Sequence, residues 1–212
     1  MFRGLLSWGL WTGTGTPPRG RRFRVAPRPA TRDASAMTDV AAAQALEPED
    51  VLARLAAVRA AFADLRPRVI AGAPWPLAED FGAGPEASWG PREVLAHVAE
   101  MLPFWKGEFE RLVEAARPAG AGEPFGRLAV DAMRIGILER DRTLPLGELF
   151  DRIDAGIAAW ESRLPSVTAA ELTSRGLHPR DGEVPSTSIR DKFIVRHLDE
   201  HVAQLEGILA AH

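Results

Sequence analysis

An all-α fold is predicted by three observations. Four long segments carry apolar residues at three- and four-residue steps, no credible strand run interrupts them, and joints rich in Gly and Pro separate them. The 212 residues are 46% apolar with a formal net charge of -3, which suits one domain with its own core behind a tail. No apolar run approaches the length that crosses a bilayer.

The first helix reads PEDVLARLAAVRAAFADLRPRV, with Val51, Leu52, Leu55, Val58, Phe62 and Leu65 on one stripe. Glu49 and Asp50 lie in its first turn, where the dipole favours acids, and Pro67 is expected to end or kink it. The second reads GPREVLAHVAEMLPFWKGEFERLVEAARP. Gly90 serves as N-cap, Pro91 as N1 and Glu93 as N3, and Pro103 is expected to bend the helix and widen a cavity. FGRLAVDAMRIGILERD predicts a short extra helix. LGELFDRIDAGIAAWESRL predicts a third long one, with Leu149, Ile153, Ile157, Trp160 and Leu164 inward. ELTSRGLHPRDGEVPSTS reads as loop. The last helix, SIRDKFIVRHLDEHVAQLEGILAAH, opens on a capping-box pattern of Ser188 and Asp191. The architecture expected is therefore a four-helix bundle with long connections and a short additional helix.

Residues 1–36 stand apart. They hold seven arginines and one acid, a net of +6, which leaves -9 on residues 37–212. This Arg/Pro/Gly-rich stretch reads as a disordered tail, as a transit segment, or as sequence ahead of a true start at Met37; residues 37–212 are the folded domain. The acidic body repels phosphate, so nucleic acid is not expected as a partner, nor is a membrane. A cytoplasmic protein with a small-molecule substrate is the expectation, and a homodimer stays open.

With no cysteine, disulfides, thiolate metal sites and a cysteine nucleophile are excluded. Any metal must be held by His, Asp and Glu. His197 and His201 are four apart and share a face of the last helix, and His97 falls on the inner face of the second. Three imidazoles are the familiar zinc-type set with one open position; histidines that only hydrogen-bond in a core are the ordinary alternative. His178 is expected to face solvent and Glu100 to be a surface charge. Gln204, three residues after His201, can hydrogen-bond near the site. Trp75, Trp89 and Trp105 are candidates for the pocket mouth, with core packing the simpler role for the last two.

SWGPREVLAHVAEM resembles the Trp-(Ser/Thr)-x-x-Glu-(Val/Ile)-x-x-His segment that opens the second helix of the DinB/YfiT-like metalloenzyme superfamily. HLDEHVAQL resembles that family's His-x-x-x-His-x-x-Gln, and the PFGR stretch ending at Arg127 is also similar. The resemblance spans about residues 48–210 and departs from the family at Gly90, where a Ser or Thr cap is usual, and at the Val after His201. It implies a four-helix bundle binding a divalent ion (zinc, nickel or iron) through His97, His197 and His201. It also implies a metal-dependent transferase or isomerase using a low-molecular-weight thiol cosubstrate, with a hydrolase or a non-catalytic, stress-associated bundle as alternatives. An anionic thiol would be held by arginines such as Arg127 or Arg196, with Gln204 nearby.

Overall fold

The computed structural model describes residues 46–79, 81, 86–115 and 122–212; the expectations for residues 1–36 and for a start at Met37 lie outside them. The described chain is mostly helical. Its elements are α1 (Pro48–Ala71), α2 (Pro91–Ala115), α3 (Ala132–Asp141), α4 (Leu146–Arg163), α5 (Ala169–Leu172), β1 (Arg175–His178), β2 (Gly182–Pro185) and α6 (His197–Ala211). A π-helical segment, Ile189–Arg196, leads directly into α6. The helix α1 packs on α4 and α6, and α2 packs on α3, α4 and α6. No helix among the described residues is long and apolar enough to cross a membrane.

The long helices form where the apolar stripes are. Val51, Leu55, Val58, Phe62, Leu65 and Val69 of α1 are all buried, so the stripe extends one step beyond Leu65. Pro67 does not end α1, which runs on to Ala71. A prolyl removes one N–H and crowds the carbonyl four residues back. Here burial of Val69, and a bond from the Trp75 indole N–H to the Val69 carbonyl at 2.7 Å, hold the last turn in place. Likewise α2 continues through Pro103 to Ala115, and its His97, Met101 and Trp105 form part of the wall of a cavity. Residues 93–102 of α2 are buried all round rather than on one stripe. Fully buried Trp160 of α4 donates its indole N–H to the Leu102 carbonyl at 3.1 Å, which ties α4 to α2.

Two expectations fail between α4 and α6. The stretch read as loop contains an antiparallel hairpin, with Arg175 facing Pro185 and His178 facing Gly182. Gly182 takes the positive φ of +74° that a tight turn needs and a side chain resists. Residues 123–125 lie along β1: Leu177 N–H donates to the Glu123 carbonyl at 2.8 Å, and Phe125 N–H donates to Leu177 at 3.2 Å. The stretch ending at Arg127 is thereby fixed to the hairpin. The Ser188–Asp191 capping box is also absent. Ser188 makes no side-chain cap bond, and Asp191 instead accepts from Leu46 N–H at 3.1 Å and pairs with Arg190 at 2.5 Å. The wider π turns replace an ordinary helix start, a device found often beside functional sites.

Candidate metal centre

Helical phase brings the three predicted histidines together. His97 points inward from the buried stretch of α2, while His197 and His201 occupy successive turns at the start of α6. His97 and His201 are buried, and His197 is partly open. The Nε2 atoms of His97 and His197 lie 3.0 Å apart, and those of His201 and His197 3.2 Å apart. Imidazoles around a tetrahedral ion with bonds of about 2.0–2.1 Å place their nitrogens about 3.3 Å apart. The two edges that meet at His197 are therefore already close to that length.

The protonation of two of these rings follows from their outer partners. The Gln204 side-chain amide donates from Nε2 to the Glu86 carbonyl at 2.8 Å, which turns its Oε1 towards His201 Nδ1, 3.0 Å away. His201 must then carry its proton on Nδ1 and present a lone pair at Nε2. His197 Nδ1 faces the Glu200 carboxylate at 3.3 Å, with the same consequence. Two lone pairs thus face each other at 3.2 Å, an arrangement suited to a cation between them. His97 differs: Arg134 Nη2 donates to its Nδ1 at 3.3 Å, so its Nε2 holds a proton shared towards His197. Ligation by His97 needs the other tautomer, and Arg134 must release that one bond.

A fourth group, unforeseen in the sequence, completes the cluster. Glu86, in the short turn before α2, offers a carboxylate oxygen that lies with the three imidazole nitrogens inside 4.8 Å of one another. Arg134 holds Glu86 at 2.6 Å and the Ala129 carbonyl at 2.9 Å. This donor set of three imidazoles and one carboxylate can hold a divalent ion.

The cluster opens on a cavity of about 520 Å³. Its wall includes Arg127, Arg134, Arg180, Lys192 and Arg196, against the acids Glu86 and Glu200. Arg127 packs over the Phe104 ring at 3.7 Å and pairs with Glu100, which is buried rather than a surface charge because residues around Arg127 cover that side of α2. Arg196 lies at the rim, its side chain 70% exposed and bonded to Glu200 at 2.9 Å. Gln204 is bonded at both ends of its amide, to His201 and to the Glu86 carbonyl. His178, expected in solvent, is 4% exposed and lines the cavity. Trp105 lines it too, stacked on Phe193 at 4.4 Å; Trp89 lies edge-on to His97, and Trp75 is buried elsewhere.

Burial holds His97 well below the ordinary histidine value and, together with neighbouring His197, lowers His201 to about 4. Burial lowers His178 also, opposed by Asp181 and aided by Arg180 and Lys192. These rings resist in the folded state a proton that the unfolded chain accepts near 6.5. The stability they give is complete above that value and is lost as pH falls towards 4. Urea midpoints of chelator-treated protein should therefore be level from pH 8 to 7 and drop between pH 6.5 and 4. A midpoint unchanged across that window would contradict the buried neutral rings.

Loss of the Gln204 amide should weaken the centre without emptying it. We expect Gln204→Ala to lower zinc affinity about 10- to 100-fold, the usual cost of removing a ligand's outer partner. Competition against a chromogenic chelator measures it.

No protein-family model, no curated protein and no solved structure matches the chain.

Proposed function

We propose that α1, α2, α4 and the π-segment with α6 form a bundle of the DinB/YfiT-like type, and that the chain is a metal-dependent enzyme. Its ion is zinc, nickel or iron, held by His97, His197 and His201. The reaction is transfer or isomerisation with a low-molecular-weight thiol cosubstrate. The observation that carries the metal reading is the convergence of His97, His197, His201 and Glu86, whose ligand atoms lie within 4.8 Å of one another, with Glu200 and Gln204 beside the outer nitrogens of His197 and His201. The cation-rich wall of the cavity supports an anionic reactant, and with no cysteine in the chain a thiol has to arrive from outside.

A divalent ion held by His97, His197 and His201 would supply Lewis acidity towards a thiol or a water. The residues divide the remaining work. Arg127 and Arg134 lie on the cavity wall and attract negative charge, while Trp105 and Phe193 offer a flat apolar side that keeps water off one face of a bound molecule. Glu86 favours a second reading, hydrolysis, because its carboxylate is the one acid of the cluster and can accept a proton from a water beside the histidines.

A turnover screen of metal-loaded protein tests both. Thiols offered with electrophiles or isomerisable unsaturated acids should give turnover that needs both thiol and metal. Thiol-independent cleavage of esters or amides, lost in Glu86→Gln, would replace the transferase reading with the hydrolase. Turnover of neither kind, in protein that holds its ion, would leave a non-catalytic bundle.

A further inference from the structure

The hairpin brings one chemically specific group to the cavity that the metal centre does not use. His178 Nδ1 accepts from the backbone N–H groups of Arg180 at 3.4 Å and Asp181 at 3.2 Å, bonds made within the turn itself. Nδ1 is thus the acceptor, and the ring carries its proton on Nε2. That N–H has no hydrogen-bond partner among the described residues, although the side chain is 3% exposed. Phe125, Trp105 and Phe193 surround the ring at centroid distances of 5.5, 6.1 and 5.0 Å.

An apolar box of this kind needs only a fourth apolar ring if packing is its purpose. A histidine there instead presents a polar N–H to the cavity, where it can donate to a bound molecule. Gly126 shows how closely the box is fitted. Its φ is +72°, and a Cβ there would stand 2.5 Å from His178 Cδ2 and 3.0 Å from Nε2. The cations nearby set the sign of the partner. Arg180 and Lys192 hold the same carboxylate, Asp181, at 2.9 and 2.7 Å, so two positive groups share one negative one beside the ring.

We propose that His178 is a ligand-binding residue whose Nε2–H donates to an oxyanion, carboxylate or phosphate, of the molecule that occupies the cavity. The proposal rests on reading the cavity as a substrate site. It adds that the substrate is anchored at the hairpin by an anionic group, apart from the end that meets the histidine cluster. Arg180 and Lys192 supply the long-range attraction, and His178 supplies the directed bond.

The test uses the full chain labelled with ¹⁵N-histidine, in zinc-loaded and in chelator-treated form. Inorganic phosphate and succinate are titrated separately, and the His178 Nε2 resonance is identified by its loss in His178→Phe. A saturable shift with one of the anions is expected, and which one responds tells phosphate from carboxylate. Affinity for it should fall about tenfold in His178→Phe and recover largely in His178→Gln, which keeps an N–H donor. If neither anion moves the resonance, or if the Phe variant binds as tightly, the proposal is overturned. The titration of unmodified protein does not depend on any variant folding. Zinc content of the same samples reports on the metal reading separately, because the chelated form tests His178 without an ion.

Discussion

Replacing His97 with alanine is expected to remove stoichiometric metal while leaving a folded helical protein. Of the three imidazoles, His97 alone comes from α2; without it the site shrinks to the His197–His201 pair on one helix, plus Glu86. The loss in affinity should exceed the 10- to 100-fold typical of an outer-shell change, because a ligand itself is gone. The fold should tolerate the change. His97 packs edge-on against Trp89, and truncating it forfeits that contact, but it also removes a buried polar ring hydrogen-bonded to Arg134 and His197. A cost of about 1–3 kcal/mol is the ordinary range for such a core change. Metal analysis and thermal melting of the same preparation read the two effects apart. Metal retained at one equivalent would exclude His97 as a ligand.

The second large effect should come from a residue that touches no ligand. Gly156 on α4 faces Leu102 on α2, and a Cβ added there would stand 2.9 Å from both Leu102 Cβ and Cδ1. The atom nearest the α2 backbone cannot turn away, so Gly156→Val must separate the helices locally. Overpacking of this kind costs about 1–3 kcal/mol. The strain also reaches the centre, because Leu102 and His97 lie on the same buried stretch of α2. We expect a lower melting temperature together with weaker zinc binding. Gly156→Val with unchanged stability would mean that the α2–α4 contact yields more easily than its spacing implies.

These two positions show what the sequence could and could not reveal. The stripes of α1 and α4 were legible because one face of each meets the core and periodicity records that. The phase of His97, His197 and His201 was legible for the same reason, since residues four apart on a helix must share a side. Glu100 misled because α2 is covered on nearly every side between Glu93 and Leu102, and an amphipathic pattern cannot record a covering made by distant segments. Glu86 sits in an aperiodic stretch that carries no signal for a ligand. Arg134 shows no signal beyond following the α3 N-cap, Asp131.

The hairpin that carries His178 inward does leave a signal in the sequence. An Asp-Gly step between GLH and EVP is a hairpin signal, and strands of four residues fall below what alternation reveals reliably. Gln204 does lie beside the site, and it acts on two partners there. Its carbonyl oxygen sets the tautomer of His201, while its NH₂ group anchors the backbone of Glu86. The first contact is local, three residues along the helix, whereas the second joins residues 118 apart and leaves no trace in periodicity.

The central claim is that His97, His197 and His201 hold one divalent ion. Metal analysis joined to X-ray absorption on the purified full chain tests it most directly. One ion per chain is expected, with three imidazole nitrogens in its first coordination sphere, at about 2.0–2.1 Å if the metal is zinc. Protein that neither carries nor takes up an ion, or an ion whose surroundings lack the histidine signature, would contradict the account.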